Sequence, residues 1–419
     1  MTKQIRKLHQ YHWGLWIAFI TLLVIGMTNV YSATFAADNI NGNFYDHLMK
    51  QIKWTVIGSA VAFILYRNDY HRWRKYIKWG TIIAIALLLL VLCIGTVVNG
   101  SRRWITIGGF SFQPSELAKL VSIIYAAHWL SLSLEQHRPI EFLYRLHIKS
   151  KNWLLKEVGM VPFLPHISLW IPLMMALLVF VQPDAGTATI IVGIPICMAW
   201  ISGAHVTKVL LPIGILTMVV VAGILYEPYR FTRVMVWIDP WGQAQTAGYQ
   251  TVQGLIAIGT GHFFGQGLGK GMSKFGFLPE AHTDFAFAVF AQEWGLCGTI
   301  LLITMFFIVI VLGILTAMHC KNKFGSLLAL GLTLYLGGQG FINIAMVSRL
   351  IPVVGVPLPF ISYGGTALIV NMAAAALLLN ISRQNYRLAE KECVAFSKRP
   401  VKSLHEETRS QFPLHSKDK

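Results

Sequence analysis

Carboxylates, guanidinium groups and a histidine stand where an otherwise apolar chain has little room for them. Asp284, in PEAHTDFAFA at 279–288, heads a run of apolar residues. A carboxylate at such a mouth is partly desolvated, which raises its pKa and suits it to accept a proton. The same position also suits a helix cap, with Thr283 or Asp284 satisfying the first amides, and the pattern alone leaves both open. His282 fits a role in orienting a neighbour better than one as a metal ligand, because no second histidine or carboxylate stands at ligand spacing. Glu293, about two turns further on, is another carboxylate in an apolar run.

QPSELAKL at 113–120 puts Pro114 and Ser115 at a helix start and Glu116 in its first turn, where the helix dipole favours an anion. Glu116 and Lys119 are spaced i, i+3, so they share a face and can neutralise each other. Ionisable groups in a span are costly and point to function, with a structural ion pair as the alternative. Cations form a third set: Arg102 and Arg103 beside Trp104, then Arg230, Arg233, Lys270, Lys274 and Arg349. Guanidinium forks match phosphate oxygens, so together they could hold a diphosphate. Headgroup snorkelling, or pairing with Glu227 and Asp239, is the alternative. IPVVGVPLPFISYGG at 351–365 has three prolines and three glycines and cannot be a continuous helix. It reads as a rigid broken element, or as a helix-start loop.

The elements that must position these groups are membrane helices. The chain has 419 residues, 55% hydrophobic and 13% charged, with mean hydropathy +0.57, more apolar surface than a soluble core of this length can hide. Apolar segments near 12–36, 48–66, 78–98, 114–131, 167–182, 187–203, 206–226, 285–317, 325–346 and 363–382 predict an all-α polytopic fold of about ten transmembrane helices. The first is too long for a signal-peptide core and reads as a retained helix. With the N-terminus inside, 25 of the 35 Lys and Arg fall in inside segments, the positive-inside pattern. The net charge of +17 is therefore mostly topological, and without a basic and aromatic stripe nucleic acid is excluded as a partner. Both termini face the cytoplasm, and the polar groups above lie on the opposite, external side.

The five cysteines stand singly and predict neither disulfides nor a zinc site. The expected organisation is a membrane domain over 1–385, with a long cytoplasmic loop at 132–166 and a long external loop at 227–284 between helices 7 and 8. A disordered tail at 386–419 follows. Within 132–166, residues 140–156 could form an interfacial helix or a solvated connector. GYQTVQGLIAIGT at 248–260 is too short to span and reads as re-entrant or surface-lying. The run GTGHFFGQGLGKG is not a nucleotide fingerprint, since it has no strand–loop–helix context and no GK[ST] ending.

NGSRRWITIGGFSFQPSELAKL, QPDAGTA, GYQTVQGLIAIGTG, GFLPEAHTDFAFAVFAQEWGLCG and LIPVVGVPLPFISYGGTALI, in that order across about 12–385, resemble the SEDS (shape, elongation, division, sporulation) family of bacterial membrane proteins, which includes RodA and FtsW. The resemblance implies a ten-helix glycosyltransferase of the cytoplasmic membrane that polymerises lipid II on the external face. It releases undecaprenyl diphosphate and works with a class B penicillin-binding protein. It implies that Asp284 matches the family's essential aspartate, Glu116 and Lys119 its QPSE-x-x-K pair, and Trp104 its tryptophan after the arginines. Arg102, Arg103, Lys270, His282 and Arg349 join them as expected substrate-binding residues. A divalent cation, Mg2+ or Mn2+, is compatible with the diphosphate, though no protein ligands for it stand out. VVGVPLPFISYGGT favours the elongation type (RodA), whereas GLGKGMSKFGFLPEAHTDF leans toward the division type (FtsW). Of the two, the resemblance implies the elongation type, acting in cell-wall elongation and rod-shape maintenance, with the division type as the alternative. The chain departs from the family in its longer 132–166 loop and in Gln292 with Trp294. A lipid II flippase and a non-catalytic scaffold for the crosslinking partner are the rivals from other classes.

Overall fold

The computed structural model describes residues 2–40, 45–98, 101–107, 110–136, 166–204, 206–226 and 228–397. A helix covers each apolar segment picked out by the sequence: α1 (Thr2–Ile40), α2 (Asp46–Arg67), α3 (His71–Ile94), α4 (Pro114–Gln136), α5 (Ile167–Val181), α6 (Ala185–Ile201) and α7 (Val206–Tyr226). Two short helices follow, α8 (Pro228–Ile238) and α9 (Tyr249–Thr260). Then come α10 (Ala286–Met318), α11 (Lys323–Thr333), α12 (Gln339–Val347) and α13 (Gly365–Ser397). Among the described residues, seven helical stretches are long and apolar enough to cross a membrane, and α5 and α6 are shorter apolar helices. The protein is therefore a multi-pass α-helical membrane protein.

Burial sorts the helices. The apolar window of α13 is 83% buried and that of α11–α12 72%, against 17% for α2. α13 packs along α2, α1 and α11, while α4 lies against α3, α5, α6 and α11. α2 and α3 leave Val56, Phe63, Trp79 and Ile82 exposed, which lipid tolerates as water does not.

Four features were not expected. Residues 96–112 form a three-stranded antiparallel sheet, β1 (Thr96–Val98), β2 (Ser101–Ile107) and β3 (Phe110–Phe112), in the order β1-β2-β3. A π turn at Leu334–Gly338 joins α11 to α12. Helix α10 is unwound at Gly295, where φ is +65° and ψ −163°. A Cβ there would come within 2.2 Å of the Gly265 nitrogen, so only glycine lets the 261–267 loop approach. Finally, the tail expected to be disordered from 386 is helical as far as Ser397. Asn385 donates to the Thr316 carbonyl at 2.9 Å, Lys321 pairs with Glu392, and Arg383 lies over the Tyr66 ring. These contacts hold the last turns against the bundle. The segments 137–165 and 398–419 lie outside the described residues, so the 132–166 loop and the rest of the tail stay expectations.

Candidate active site

The site assembles where several element ends meet around Asp284. Helix α10 begins after Phe285, and no side chain caps it; Thr283 turns instead to the Glu280 carbonyl and carboxylate. The Asp284 carboxylate accepts no hydrogen bond from the described residues, so of the two readings of this position the cap is the one the geometry drops. Its main chain is held instead. Asn343 of α12, fully buried, donates to the Asp284 carbonyl at 2.9 Å and to the Val356 carbonyl at 2.7 Å. That bond ties Asp284 to the proline-rich loop between α12 and α13.

Gly355 in this loop has φ +67°, and a Cβ on it would stand 3.3 Å from Asp284 Oδ2 and 3.9 Å from an Arg233 guanidinium nitrogen. Carboxylate and guanidinium thus flank one point of the loop. Arg233, from α8, is fixed by a 2.9 Å bond to the Val353 carbonyl. Arg103, from β2, donates to the carbonyls of Gln182 (3.2 Å) and Pro183. Asp184 caps α6 through Thr187 N at 3.1 Å and accepts from Gln113 at 3.4 Å. Burial pushes the Asp284 carboxyl up to about 6, with Glu280 and Asp184 adding repulsion and Arg233 and Arg103 opposing. A carboxyl in that range is ionised at neutral pH yet basic enough to take a proton.

The expected binding residues divide. Arg103 reaches the Asp284 neighbourhood, but Arg102, its neighbour on β2, is exposed and directed to the Leu92 carbonyl. Arg103 is the extra residue of a β-bulge opposite Thr96 and Val97, and the two guanidinium groups bond to different carbonyls, so the pair is not one clamp. Trp104 is half-buried on the same strand, paired across the sheet with Thr96. Lys270 is exposed, and no contact among the described residues ties it to Asp284. Arg349 donates to the Trp237 (3.0 Å) and Ile238 (2.8 Å) carbonyls at the end of α8, a cation on a helix C-terminus. Lys274 pairs with Glu293 at 2.8 Å and with Ser32 at 3.0 Å, wholly buried. That supplies the partner Glu293 lacked in sequence and takes Lys274 out of the anion set.

Glu116 and Lys119 are also a correction. They pair at 2.8 Å with almost no exposure, so as folded neither can touch a substrate. Lys119 continues to Gln339 Oε1 at 2.9 Å, and Gln339 donates to the Pro357 carbonyl at 2.8 Å. The pair is thereby linked to the loop that carries Gly355. A charge this deep needs such bonds to persist, and the π turn sets Tyr335 and Gln339 together about Lys119.

His282 lies in a ring cluster with His47 and Tyr363, centroids 5.2–5.8 Å apart. Its carbonyl accepts from Tyr363 N at 2.8 Å, and burial lowers its pKa. Asp38, Asp46 and His47 are the one group among the described residues whose ligand atoms could surround a metal ion. Asp38 is already bonded to His47 and Asp46 to Lys50, so these donors are satisfied without an ion. Around Asp284 the carboxylate of Asp184 is likewise engaged. Among the described residues, no second candidate metal group gathers around Asp284.

Sequence reading passed over Asp184, Asn343 and Gln339 as site residues and placed Arg233 in the diphosphate set with the other external cations. Asn343 and Gln339 carried a usable signal, since two carboxamides in an apolar span need partners.

The profile of the FtsW, RodA and SpoVE family, described as cell cycle proteins, matches residues 12–387. The chain is 34% identical over 386 residues to a Geobacter sp. (strain M18) protein named "Probable peptidoglycan glycosyltransferase FtsW", with 90% of this chain and 98% of that one covered. It is 36% identical over 371 residues to stage V sporulation protein E of Bacillus subtilis (strain 168), covering 88% and 95%. Among solved structures it is similar, at TM-score 0.68 and 26% identity, to a chain of a peptidoglycan synthase complex described for its structural coordination of polymerization and crosslinking, covering 89% and 98%. It is also similar to the rod shape determining protein RodA of Thermus thermophilus, at TM-score 0.61 and 25% identity, covering 89% and 97%.

Proposed function

Since the chain belongs to the FtsW, RodA and SpoVE family of cell cycle proteins, we propose that it is a peptidoglycan glycosyltransferase that polymerises lipid II into glycan strands. The observation that carries the chemistry is the unbonded Asp284 carboxylate, raised to about 6 between Arg103 and Arg233. The hydroxyl oxygen of the acceptor sugar attacks the anomeric carbon of the donor, and its proton passes to Asp284. The bond from that carbon to the diphosphate breaks, and the electron pair leaves on the undecaprenyl diphosphate. Arg103 and Arg233 supply donors where that charge develops. Arg102, Trp104, Lys270, His282 and Arg349 are not gathered at Asp284 and enter the proposal only as contacts to more distant parts of the lipid-linked chain. Glu116 and Lys119 act by holding the loop beside Asp284. A divalent cation would be held by the substrate's own phosphate oxygens, and no step above runs through it.

The charge asymmetry supports cytoplasmic termini and a site on the external face. The synthase-complex neighbour supports a class B penicillin-binding protein as partner. Within the family, the FtsW and SpoVE names of the relatives support the division or sporulation type at least as well as VVGVPLPFISYGGT supports the elongation type. Depletion in the native host separates them, filaments marking the division type and rounded cells the elongation type.

Purified protein supplied with labelled lipid II, and with its partner, tests the activity. Long glycan strands are expected, and none from Asp284→Asn. Movement of lipid II between leaflets without product would replace the polymerase with a flippase.

A further inference from the structure

The turn Gly261–Gly265 is held in an unusual way. His262 has φ +46°, which a residue with a side chain adopts only at a cost in free energy. Gly265 N closes the turn onto the Gly261 carbonyl at 2.8 Å. The unwound segment of α10 then stitches it from both sides. Leu296 N and Cys297 N donate to the carbonyls of His262 (2.9 Å) and Phe263 (3.1 Å), while Gln266 N and Gly267 N donate to those of Gln292 (3.0 Å) and Glu293 (3.1 Å). What this stitched, strained turn presents is two phenyl rings, Phe263 66% and Phe264 85% exposed.

Their level follows from α10. Below the stitch the helix is apolar to Met318, and Lys321 and Lys323 follow it. Residues 298–318 rise about 30 Å at ~1.5 Å per residue, the thickness of a hydrocarbon core. The turn is therefore fixed at the boundary opposite the basic end. Directly beneath it, Cys297, Ile300, Leu301 and Phe307 form an exposed stripe of α10, so the two rings continue a face already turned outward at membrane depth. Leu268 and Met272 are exposed on the same loop, with Lys270 between them. Aromatic rings beside a cation suit the layer where acyl chains meet phosphate headgroups.

We infer that the Gly261–Gly265 turn is a membrane-interface anchor: Phe263 and Phe264 enter the boundary layer of the bilayer, with Lys270 at the headgroup phosphates. The anchor fixes the height of the half-helix 286–294, which follows Asp284, and does not depend on what reaction Asp284 performs. The test uses the full chain in nanodiscs of phosphatidylethanolamine and phosphatidylglycerol, with the photoreactive p-benzoylphenylalanine in place of Phe264. A second protein carries it at Phe307 on the outward stripe, as a control. Illumination is expected to give a covalent phospholipid adduct at 264, read by mass spectrometry. An adduct at 307 but none at 264 would place the turn in water and overturn the anchor. Crosslinking of 264 to a co-purified protein would overturn it in favour of a protein contact.

Discussion

Asp284 holds its proton more tightly in the folded chain than it would unfolded, because burial, Glu280 and Asp184 all disfavour its charge. Between about pH 4 and 6 the folded state then binds more protons, and stability falls as pH rises through that window. Asp284→Asn should remove this cost. Unfolding followed by calorimetry should show the variant more stable at pH 7.5, by on the order of 2 kcal/mol, and equal to the parent below pH 4. Polymerisation should fall by at least ~10²-fold in the same protein, and in the parent it should rise with pH to a plateau above about 6. Asn343 is the second residue to change. Losing its bonds to the Asp284 and Val356 carbonyls frees the backbone under the carboxylate, and small misplacements cost as much as ~10²-fold. Asn343→Ala should lower kcat while KM stays put; turnover per folded molecule at the parent's rate would separate Asn343 from the reaction. Asp284 was legible in sequence as an acid at a helix mouth, and the family resemblance favoured a base over the cap that pattern alone left equally open. That α10 starts without a side-chain cap, with Thr283 turned to Glu280, is an arrangement no spacing announces.

Helix α10 and the loop stitched to it share one dependence on Gly295. Alanine there would meet the Gly265 nitrogen and take a positive φ, so Gly295→Ala should destabilise the protein by ~2 kcal/mol or more, seen as a lower detergent unfolding temperature. The buried Lys274–Glu293 pair gives a complementary test. Removing one charge strands the other, at ~3–5 kcal/mol, whereas replacing both with apolar residues is often neutral. Lys274→Met should therefore express poorly, and adding Glu293→Leu should recover folded protein on size exclusion. The helices themselves were legible because lipid demands long apolar runs. The sheet at 96–112 was not: strands of three and seven residues leave too short a pattern. Yet a bulge in that sheet sets Arg102 and Arg103 on different carbonyls.

On the scale of the whole molecule, the more buried helices supply much of the interior's polar chemistry. α4, α12 and α13 contribute Glu116, Lys119, Gln339, Asn343 and Asn371 to the interior, while α2 and α3 present apolar side chains outward. Chelation tests the divalent ion expected at the diphosphate. If a divalent ion rides on the substrate's diphosphate, EDTA should abolish polymerisation without lowering the unfolding temperature of the substrate-free protein; a fall in that temperature would mean that the protein itself binds a structural ion. Charge counting supports a sidedness, but could not foresee that α13 runs on to Ser397, since its last turns are as polar as a free tail. That extension makes the last described turns of α13 a pointer. Asn385 and Glu392 lock it to the bundle, so a reporter fused directly after Ser397 starts from a fixed bearing. Each residue inserted before it should swing the reporter by about 100° and advance it by about 1.5 Å. A short series of insertions could thus turn the helix into a goniometer for measuring how a neighbouring chain is oriented.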